Sequence, residues 1–318
     1  MSETTHPQPL DEPADPGGPT PSEGFRSGFV ALAGRANVGK STLMNRLVGT
    51  KVSIVSDVPQ TTRFPIRGVL HRERCQIVFI DCPGIHKPRY RMNEEMVRMA
   101  TRVLKEVDLV AVLVDASDGL GPGDRFAFDL VKEAGARAFL ILNKIDLMPR
   151  ERLLPLIEEV SHTGLFEEIV PLSAKSGESC DRLESLLTDR MPPGPPHFPA
   201  ETVSDLSTHL AVAELIREQI FLRMRQEVPH AAAVVVESIE RDEGGLTRIH
   251  ATVLVDRDSH KGIMIGEGGR MMKEIGTASR HTLEAHLKSR VHLALWVKVR
   301  AGWRDDTSLL RLLGLPVA

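Results

Sequence analysis

An octapeptide near the N-terminus constrains this chain more than any other stretch. It reads Gly34-Arg35-Ala36-Asn37-Val38-Gly39-Lys40-Ser41, follows the apolar run 29–33, and precedes a helical pattern over 42–48. A glycine-rich loop between a strand and a helix turns backbone N–H groups inward as an anion nest. The lysine adds a cation for the β- and γ-phosphates, and the serine offers a hydroxyl to Mg²⁺. The residues predicted to hold phosphates are Gly34, Asn37, Val38, Gly39, Lys40, Ser41 and Thr42.

Short apolar runs alternate with helical patterns from about residue 27 to residue 190. Each run is apolar on both faces and is followed by a turn containing Gly, Pro, Asp or Asn. This pattern is typical of a mainly parallel sheet with helices on both faces, an α/β domain. Ligands of such sheets bind at the carboxyl ends of the strands. The runs are 28–33, 76–81, 108–114, 137–142 and 168–172.

Two segments are placed to respond to a γ-phosphate. Asp81-Cys82-Pro83-Gly84 ends a predicted strand and is interpreted as switch II, with the carboxylate facing Mg²⁺ through water. Its glycine permits close approach to the γ-phosphate. Gln60-Thr61-Thr62-Arg63 lies in a polar stretch and is interpreted as switch I, where a threonine completes the magnesium shell only while the γ-phosphate is present. The predicted metal ligands are Ser41, Thr62 and Asp81.

Two further segments at strand ends predict recognition of guanine. In Asn143-Lys144-Ile145-Asp146, the Asp146 carboxylate can accept from the guanine N1–H and from its exocyclic amine, a donor pair that adenine lacks. Ser173-Ala174-Lys175 suits a backbone N–H bond to guanine O6. Alone, each motif could be an ordinary turn or helix start, but their shared order and placement indicate a GTP site. Its predicted guanine-binding residues are Asn143, Lys144, Asp146, Ser173, Ala174 and Lys175.

These five motifs resemble those of the Ras-like translation-factor GTPases. Asn37, together with Thr61-Thr62-Arg63, resembles the branch that contains Era, TrmE and EngA. The resemblance implies a GTP/GDP switch that hydrolyses GTP slowly with Mg²⁺ as cofactor. In Ras-like enzymes a Gln soon after the switch II motif orients the water, whereas Ile85 follows the motif here and His86 is interpreted as a solvated histidine. The resemblance also leads us to hypothesise that Asn37 helps to hold K⁺.

A proline-rich segment separates this region from a second one. Residues 191–199 contain five prolines and predict a semi-rigid linker. The following order of elements is α-β-β-α-α-β, with a Gly-x-x-Gly turn at 266–269, and resembles a type II KH domain, an α+β fold whose turn clamps single-stranded RNA. Nine Lys or Arg against three Glu between residues 259 and 304 fit phosphate neutralisation, although a solvated charged face is the alternative. The predicted RNA-binding residues are Lys261, Ile265, Gly266, Glu267, Gly268, Gly269, Arg270 and Lys273.

Three aspects of this second region bear on RNA binding. Era proteins often carry a basic residue inside the Gly-x-x-Gly turn, and Glu267 is expected to weaken non-specific affinity for RNA. Trp296 alternates with Leu293, Leu295 and Val297 and is expected to pack in the core. Trp303 is a candidate to stack on RNA bases, and stacking is the alternative for Trp296.

One G domain followed by one KH domain, over about residues 27–315, resembles the Era family. The resemblance implies a monomer that binds 16S ribosomal RNA near its 3′ end, not DNA, and acts in assembly of the 30S subunit. Coupling is expected to run through switch II and the linker. The predicted division is a disordered acidic tail over 1–25, a GTPase domain over 26–191, a linker over 192–205, a KH domain over 206–304 and a tail over 305–318.

Composition bears on whether the protein is secreted, spans a membrane, or contains disulfides or zinc. Residues 1–25 hold five acids, six prolines and no Lys or Arg, so they predict disorder and not a signal peptide. No stretch approaches the ~20 apolar residues that span a bilayer. Three cysteines without CxxC spacing favour a reducing cytoplasm over disulfides or zinc. Peripheral association with the inner face of the cell membrane stays open, as do a membrane-associated or stress/cell-cycle signalling GTPase and an RNA scaffold with a silent G domain.

Overall fold

The computed structural model describes residues 24–56, 61–85, 91–224 and 228–315. The tail over residues 1–23 lies outside that range. The first domain is built on a six-stranded sheet in the order β2-β3-β1-β4-β5-β6, in which β2 is antiparallel to β3 and every other neighbouring pair is parallel. Its strands are β1 (Arg26–Ala33), β2 (Ile66–Arg72), β3 (Cys75–Asp81), β4 (Leu109–Asp115), β5 (Ala138–Asn143) and β6 (Glu168–Pro171). The predicted α/β class is confirmed.

Helices cover both faces of this sheet, as the doubly apolar strands require. Along β1, Val30 and Leu32 pack on the side of α1 and α5, whereas Ala31 and Ala33 pack on the side of α3 and α4. The period of two along a strand produces this division. The helices are α1 (Lys40–Val48), α2 (Arg91–Glu106), α3 (Pro122–Ala134), α4 (Leu153–Ser161) and α5 (Cys180–Arg190).

A second domain follows with the predicted α-β-β-α-α-β order. Its three-stranded sheet has the order β7-β8-β9, with β7 and β8 antiparallel and β8 and β9 parallel. Its elements are α6 (Thr208–Arg223), β7 (Ala232–Arg241), β8 (Leu246–Val255), α7 (Asp258–Ile265), α8 (Arg270–Leu287) and β9 (Arg290–Val299). A last helix, α9 (Thr307–Leu312), falls in the predicted C-terminal tail, and its Leu309 and Leu310 are buried in the same apolar cluster as α1 and α5.

The linker covers the open edge of the first sheet. The N–H of Val69 in the edge strand β2 donates to the Val203 carbonyl at 2.9 Å. The amide of Gln76 donates to the Phe198 carbonyl at 2.7 Å and accepts from the N–H of His197 at 2.6 Å. An unpaired strand edge is prone to intermolecular pairing, so these bonds both protect β2 and fix the path of the chain towards α6.

The two tryptophans differ in burial from what the sequence predicted. Trp303 is fully buried and its indole N–H donates to the Ala231 carbonyl at 2.9 Å, so it cannot stack on a base. Trp296 is 46% exposed and lies against His250, with ring centroids 5.6 Å apart. The expectation for Trp296 was wrong because Leu293, Leu295 and Val297 face the helices, and the period of two then places Trp296 on the opposite face of the sheet. The expectation for Trp303 was wrong because Ala231 and Arg63 help to enclose its ring.

No helix within the described ranges is long and apolar enough to cross a membrane.

We expect the native protein to resist thiol reagents. Cys75, Cys82 and Cys180 are all buried, and burial raises the pKa of the Cys82 thiol to about 12. Because the thiolate is the reactive form, Ellman's reagent should label almost no cysteine in native protein at pH 8 and all three in denaturant. Rapid labelling of a native thiol would contradict the described packing.

Candidate functional site

A pocket of about 560 Å³ opens at the carboxyl ends of β1, β3 and β5. It brings together the phosphate-binding loop, switch I, switch II and both predicted guanine segments. The predicted residues that line it are Asn37, Gly39, Lys40, Ser41, Thr42, Thr61, Thr62, Gly84, Asn143, Lys144, Asp146, Ala174 and Lys175. Segments far apart in sequence therefore converge on a single cleft.

The loop at 34–41 has the compact geometry expected of an anion nest. Gly39 is left-handed, at φ 100°, and an added Cβ would lie 2.3 Å from the amide nitrogen of Asn143, so only glycine fits there. The Lys40 ammonium donates to the carbonyls of Gly34 at 3.2 Å and Arg35 at 2.8 Å. Burial lowers the pKa of Lys40, and Asp81 opposes that shift. A buried cation in a nest of amides is poised for an anionic ligand.

The three predicted metal ligands meet behind the loop. The Ser41 hydroxyl donates to Asp81 Oδ2 at 2.6 Å, and the Thr62 hydroxyl lies 3.2 Å from both partners. The other oxygen, Asp81 Oδ1, is buried with no hydrogen-bond partner among the residues that the structure describes. Burial raises the pKa of Asp81, opposed by Lys40 and the hydroxyls. An unsatisfied carboxylate oxygen beside two hydroxyls is the hard-oxygen donor set that suits Mg²⁺.

Sequence reasoning missed part of this pocket. The hydroxyl of Ser53, which is only 1% exposed, donates to Asp81 Oδ2 at 2.8 Å. Ile54, Val55 and Ser56 line the cleft beside it. The segment 51–56 belongs to no motif, and a lone serine among apolar residues is no signal, so only the folded chain identifies it.

The two predicted guanine-binding segments lie at one end of the pocket and are held by hydrogen bonds to neighbouring loops. Asn143 donates to the Val38 carbonyl at 2.7 Å and accepts from the Ala174 N–H at 2.9 Å, which ties the phosphate loop to the Ser-Ala-Lys loop. Lys144 pairs with Asp115 at 2.6 Å, and Asp146 is exposed to the cleft. The structure thus places Asn143 as a brace and leaves the Asp146 carboxylate open to a base.

Several residues named in the sequence analysis do not line the pocket, and a further residue that was not predicted does. Ser173 is fully buried, and its hydroxyl accepts from the Ser176 N–H at 3.1 Å, so it shapes its loop. Ile85 is buried and its N–H donates to the Gly34 carbonyl at 3.1 Å. Leu147, which was not predicted, lines the cleft and is 62% exposed. Gly34, Val38, Asp81, Cys82 and Pro83 lie behind the surface, while Gln60 and His86 fall outside the described residues.

Switch I touches the second domain directly. The Thr61 carbonyl accepts from the guanidinium of Arg217 on α6. Arg63 points away from the pocket, donates to the His230 carbonyl at 3.3 Å and lies 5.3 Å from the Trp303 ring centroid. Burial and the neighbouring Arg217 lower the pKa of Arg63. Switch I therefore contacts the second domain, a contact that is additional to the switch II and linker connections predicted from the sequence.

The Gly-x-x-Gly turn lies in the second domain. It joins α7 to α8, and Gly266, Gly268 and Gly269 all have positive φ angles. Glu267 and Lys273 are exposed, and Arg270 pairs loosely with Glu274 at 3.7 Å. Since a phosphate binds the free N–H groups at a helix N-terminus, the turn and the first residues of α8 form a candidate nucleic-acid contact. Lys261 and Ile265 lie on α7 just before it.

Two family models match the chain. One, described as a 50S ribosome-binding GTPase, matches residues 29–144, and one described as a KH domain matches residues 227–304. GTPase Era of Heliobacterium modesticaldum is 44% identical over 292 residues, which cover 92% of this chain and 98% of that protein. GTPase Era of Alkaliphilus oremlandii is 45% identical over 291 residues, covering 91% and 99%.

Solved structures show the same similarity over both domains. A crystal structure of Era in complex with MgGDPNP and nucleotides 1506–1542 of 16S ribosomal RNA is 37% identical, with a TM-score of 0.89. It matches 92% of this chain and 100% of that chain. An Aquifex aeolicus Era variant bound to GDP and AlF₄⁻ gives the same identity, TM-score and coverage.

Proposed function

This chain belongs to the GTPase Era family, and from that premise we propose that it binds 16S ribosomal RNA near its 3′ end through its KH domain while GTP is bound. Hydrolysis to GDP then releases the RNA, and the cycle serves assembly of the 30S subunit. The observation that carries this proposal is the contact between switch I and α6, through the Thr61 carbonyl and Arg217. It joins the segment to which we assign γ-phosphate sensing to the KH domain.

We assign the ligand contacts as follows. Lys40 and the amides of residues 37–42 hold the phosphates, Asp146 and the 174–175 backbone hold guanine, and Ser41, Thr62 and Asp81 hold Mg²⁺. The metal, when bound, offsets phosphate charge. The hydrolytic step rests on this positioning and on Lys40 neutralising developing charge. Ile85, buried behind the loop, offers no group to orient water, so turnover is slow.

The partners and location follow from the same assignment. We propose a monomer whose ligands are GTP, GDP and the small-subunit RNA, with no role for DNA. We place it in the cytoplasm, with any association at the inner face of the cell membrane being peripheral.

The experiment that tests the function is crosslinking of the full-length protein to RNA in cells, followed by sequencing of the bound RNA. In parallel, the purified protein is given the recovered RNA with a GTP analogue or with GDP. Enrichment of the 16S 3′ end, and tighter binding with the GTP analogue, are expected. Recovery of unrelated RNAs would contradict the ribosomal role, and equal affinity in the two nucleotide states would contradict the switch.

Potassium should stimulate hydrolysis weakly through Asn37. This residue lines the pocket with φ 64°, a left-handed angle that Asn tolerates. Its side-chain carbonyl can help to hold a monovalent cation beside the phosphates, and we expect turnover about threefold faster in KCl than in NaCl, or about 0.7 kcal/mol of barrier. Asn37→Gly keeps the backbone angle and should remove the difference. Equal turnover of the wild type in the two salts would contradict this role.

Reversing the charge in the Gly-x-x-Gly turn should tighten RNA binding. Glu267 is exposed within the turn, and Glu267→Lys replaces repulsion of phosphate with attraction. We expect affinity at about 50 mM salt to rise severalfold and the salt slope to steepen by about one. Glu243→Lys makes the same charge change in the exposed β7–β8 turn and serves as the control. Equal effects of the two variants would show that only net charge matters.

A further inference from the structure

The segment 51–55 lies between Asp81 and the KH domain. On the G-domain side, the amide oxygen of Asn45 accepts from the N–H groups of Val52 at 2.8 Å and Ser53 at 2.9 Å. The amide nitrogen of Asn45 donates to the Ser53 carbonyl at 2.7 Å. Three hydrogen bonds from one side chain to one short segment fix the position of Ser53 in the first domain.

The KH domain holds the same segment from its other side. Glu218 on α6 is only 3% exposed. One of its oxygens lies 2.5 Å from the Lys51 ammonium, and the other accepts from the N–H of Val55 at 3.1 Å. A single carboxylate therefore contacts the segment two residues before and two residues after Ser53. Removing it would leave the Val55 N–H without this partner at the domain boundary.

Ser53, in the middle of the segment that both domains hold, donates a hydrogen bond to Asp81. Three hydroxyls donate to Asp81 Oδ2, from Ser41, Ser53 and Thr62. Ser41 and Thr62 line the pocket and are assigned to the metal, whereas Ser53 is buried behind it. The Ser53 hydroxyl is thus the one of these three donors that is not assigned to the metal and is left to orient the carboxylate. Residues that hydrogen-bond to metal ligands commonly control metal affinity.

We infer that Ser53 is a positioning residue for Asp81 and that Glu218 of the KH domain sets this position across the domain boundary, so that the KH domain tunes the Mg²⁺ affinity of the nucleotide site. The inference rests on the proposed magnesium role of Asp81. It assigns a function to a residue that none of the guanine-nucleotide motifs contains. The path uses other side chains than the contact between Arg217 and the Thr61 carbonyl.

The test measures release of a fluorescent GDP from the full-length protein over a range of Mg²⁺ concentrations and in EDTA. Ser53→Ala should raise the Mg²⁺ concentration needed for half-maximal retention about tenfold, with the release rate in EDTA unchanged. Ser279→Ala is the matched control, because it removes a fully buried KH-domain hydroxyl that has no partner in the described part of the chain. It should leave both quantities unchanged.

Glu218→Ala should shift the Mg²⁺ dependence in the same direction by a smaller factor. The double variant should raise the Mg²⁺ concentration needed for half-maximal retention by less than the product of the two single factors, because both substitutions act on one path. Independent factors, or no effect of Glu218→Ala, would overturn the cross-domain part of the inference.

Two results would overturn the role of Ser53. One is an unchanged Mg²⁺ dependence, and the other is an equal acceleration in EDTA, which would indicate damage to the loop. If Ser53→Ala does not fold, Ser53→Cys keeps the volume with a weaker donor and should give an intermediate shift, with no shift overturning the inference. The wild-type protein tests the premise separately, because absence of any Mg²⁺ dependence would contradict the proposed metal site itself.

Discussion

Replacing Asp146 with Asn should exchange the base specificity of the pocket from guanine to xanthine. The carboxylate is exposed to the cleft, where it can accept two hydrogen bonds from guanine. An amide keeps one acceptor but presents an N–H group to the exocyclic amine, so two donors face each other. Sites built around such pairs reject the mismatched ligand strongly, and we expect GTP affinity to fall about 10³-fold or more.

Xanthine supplies the complementary test, because it carries a carbonyl where guanine carries the amine. The side-chain amide that Asp146→Asn introduces can donate to that carbonyl and still accept from N1–H. Competition of GTP and xanthosine triphosphate against a fluorescent GDP measures both affinities. Asp189→Asn, on the exposed surface of α5, makes the same chemical change away from the pocket. Unchanged GTP affinity in Asp146→Asn would mean that another group reads the base.

Replacing Lys40 with Met should abolish most nucleotide binding with little change in the stability of the free protein. Lys40 is only 6% exposed, and burial lowers its pKa, so its charge is partly desolvated even before ligand binds. Its bonds to the carbonyls of Gly34 and Arg35 satisfy the ammonium before nucleotide enters. Phosphate oxygens are far better partners for a cation, so we expect loss of the charge to reduce GTP affinity at least about 100-fold, or about 3 kcal/mol.

Thermal unfolding with and without nucleotide separates the two effects of Lys40→Met. The unliganded variant should unfold close to the wild-type temperature, because the substitution removes a desolvated charge but also removes its attraction to the buried Asp81. At about 1,000 times the wild-type dissociation constant, GTP should stabilise the wild type by about 4 kcal/mol and the variant by little more than about 1 kcal/mol. Equal stabilisation of the two proteins would exclude the phosphate role of Lys40.

The strands and helices that the sequence predicted are those with strong local signals. Five predicted strands of the first domain overlap β1, β3, β4, β5 and β6, and all of these except the edge strand β6 are buried along nearly their whole length. The missed strand β2 contains Arg67, Gly68 and His71 and lies at the edge of the described sheet, beside β3. An edge strand needs no continuous apolar run, and its pairing partner β3 follows it in the chain, so only the pairing itself reveals it.

The tryptophans illustrate a different limit. The alternation around Trp296 was visible, but whether the opposite face of the sheet is covered depends on where the first domain lies. That domain covers Ala233 and Leu254 and leaves Trp296 open. Trp303, in contrast, is enclosed by residues from both domains, among them Arg63 and Ala231.

By itself the sequence determined that this protein binds a phosphate, that the ligand carries guanine, and that a KH-like module follows. Each of these functions is performed by a contiguous loop whose backbone geometry depends on neighbouring residues, so its residue types can be read locally. Only the tertiary structure decided that Ser53 donates to Asp81, that Asn143 joins the two loops, that Arg217 reaches switch I and that Glu218 reaches Lys51. The physical reason is that these side chains act through partners as far as 167 residues away, across a domain boundary, and such pairings leave no periodic signal in the chain.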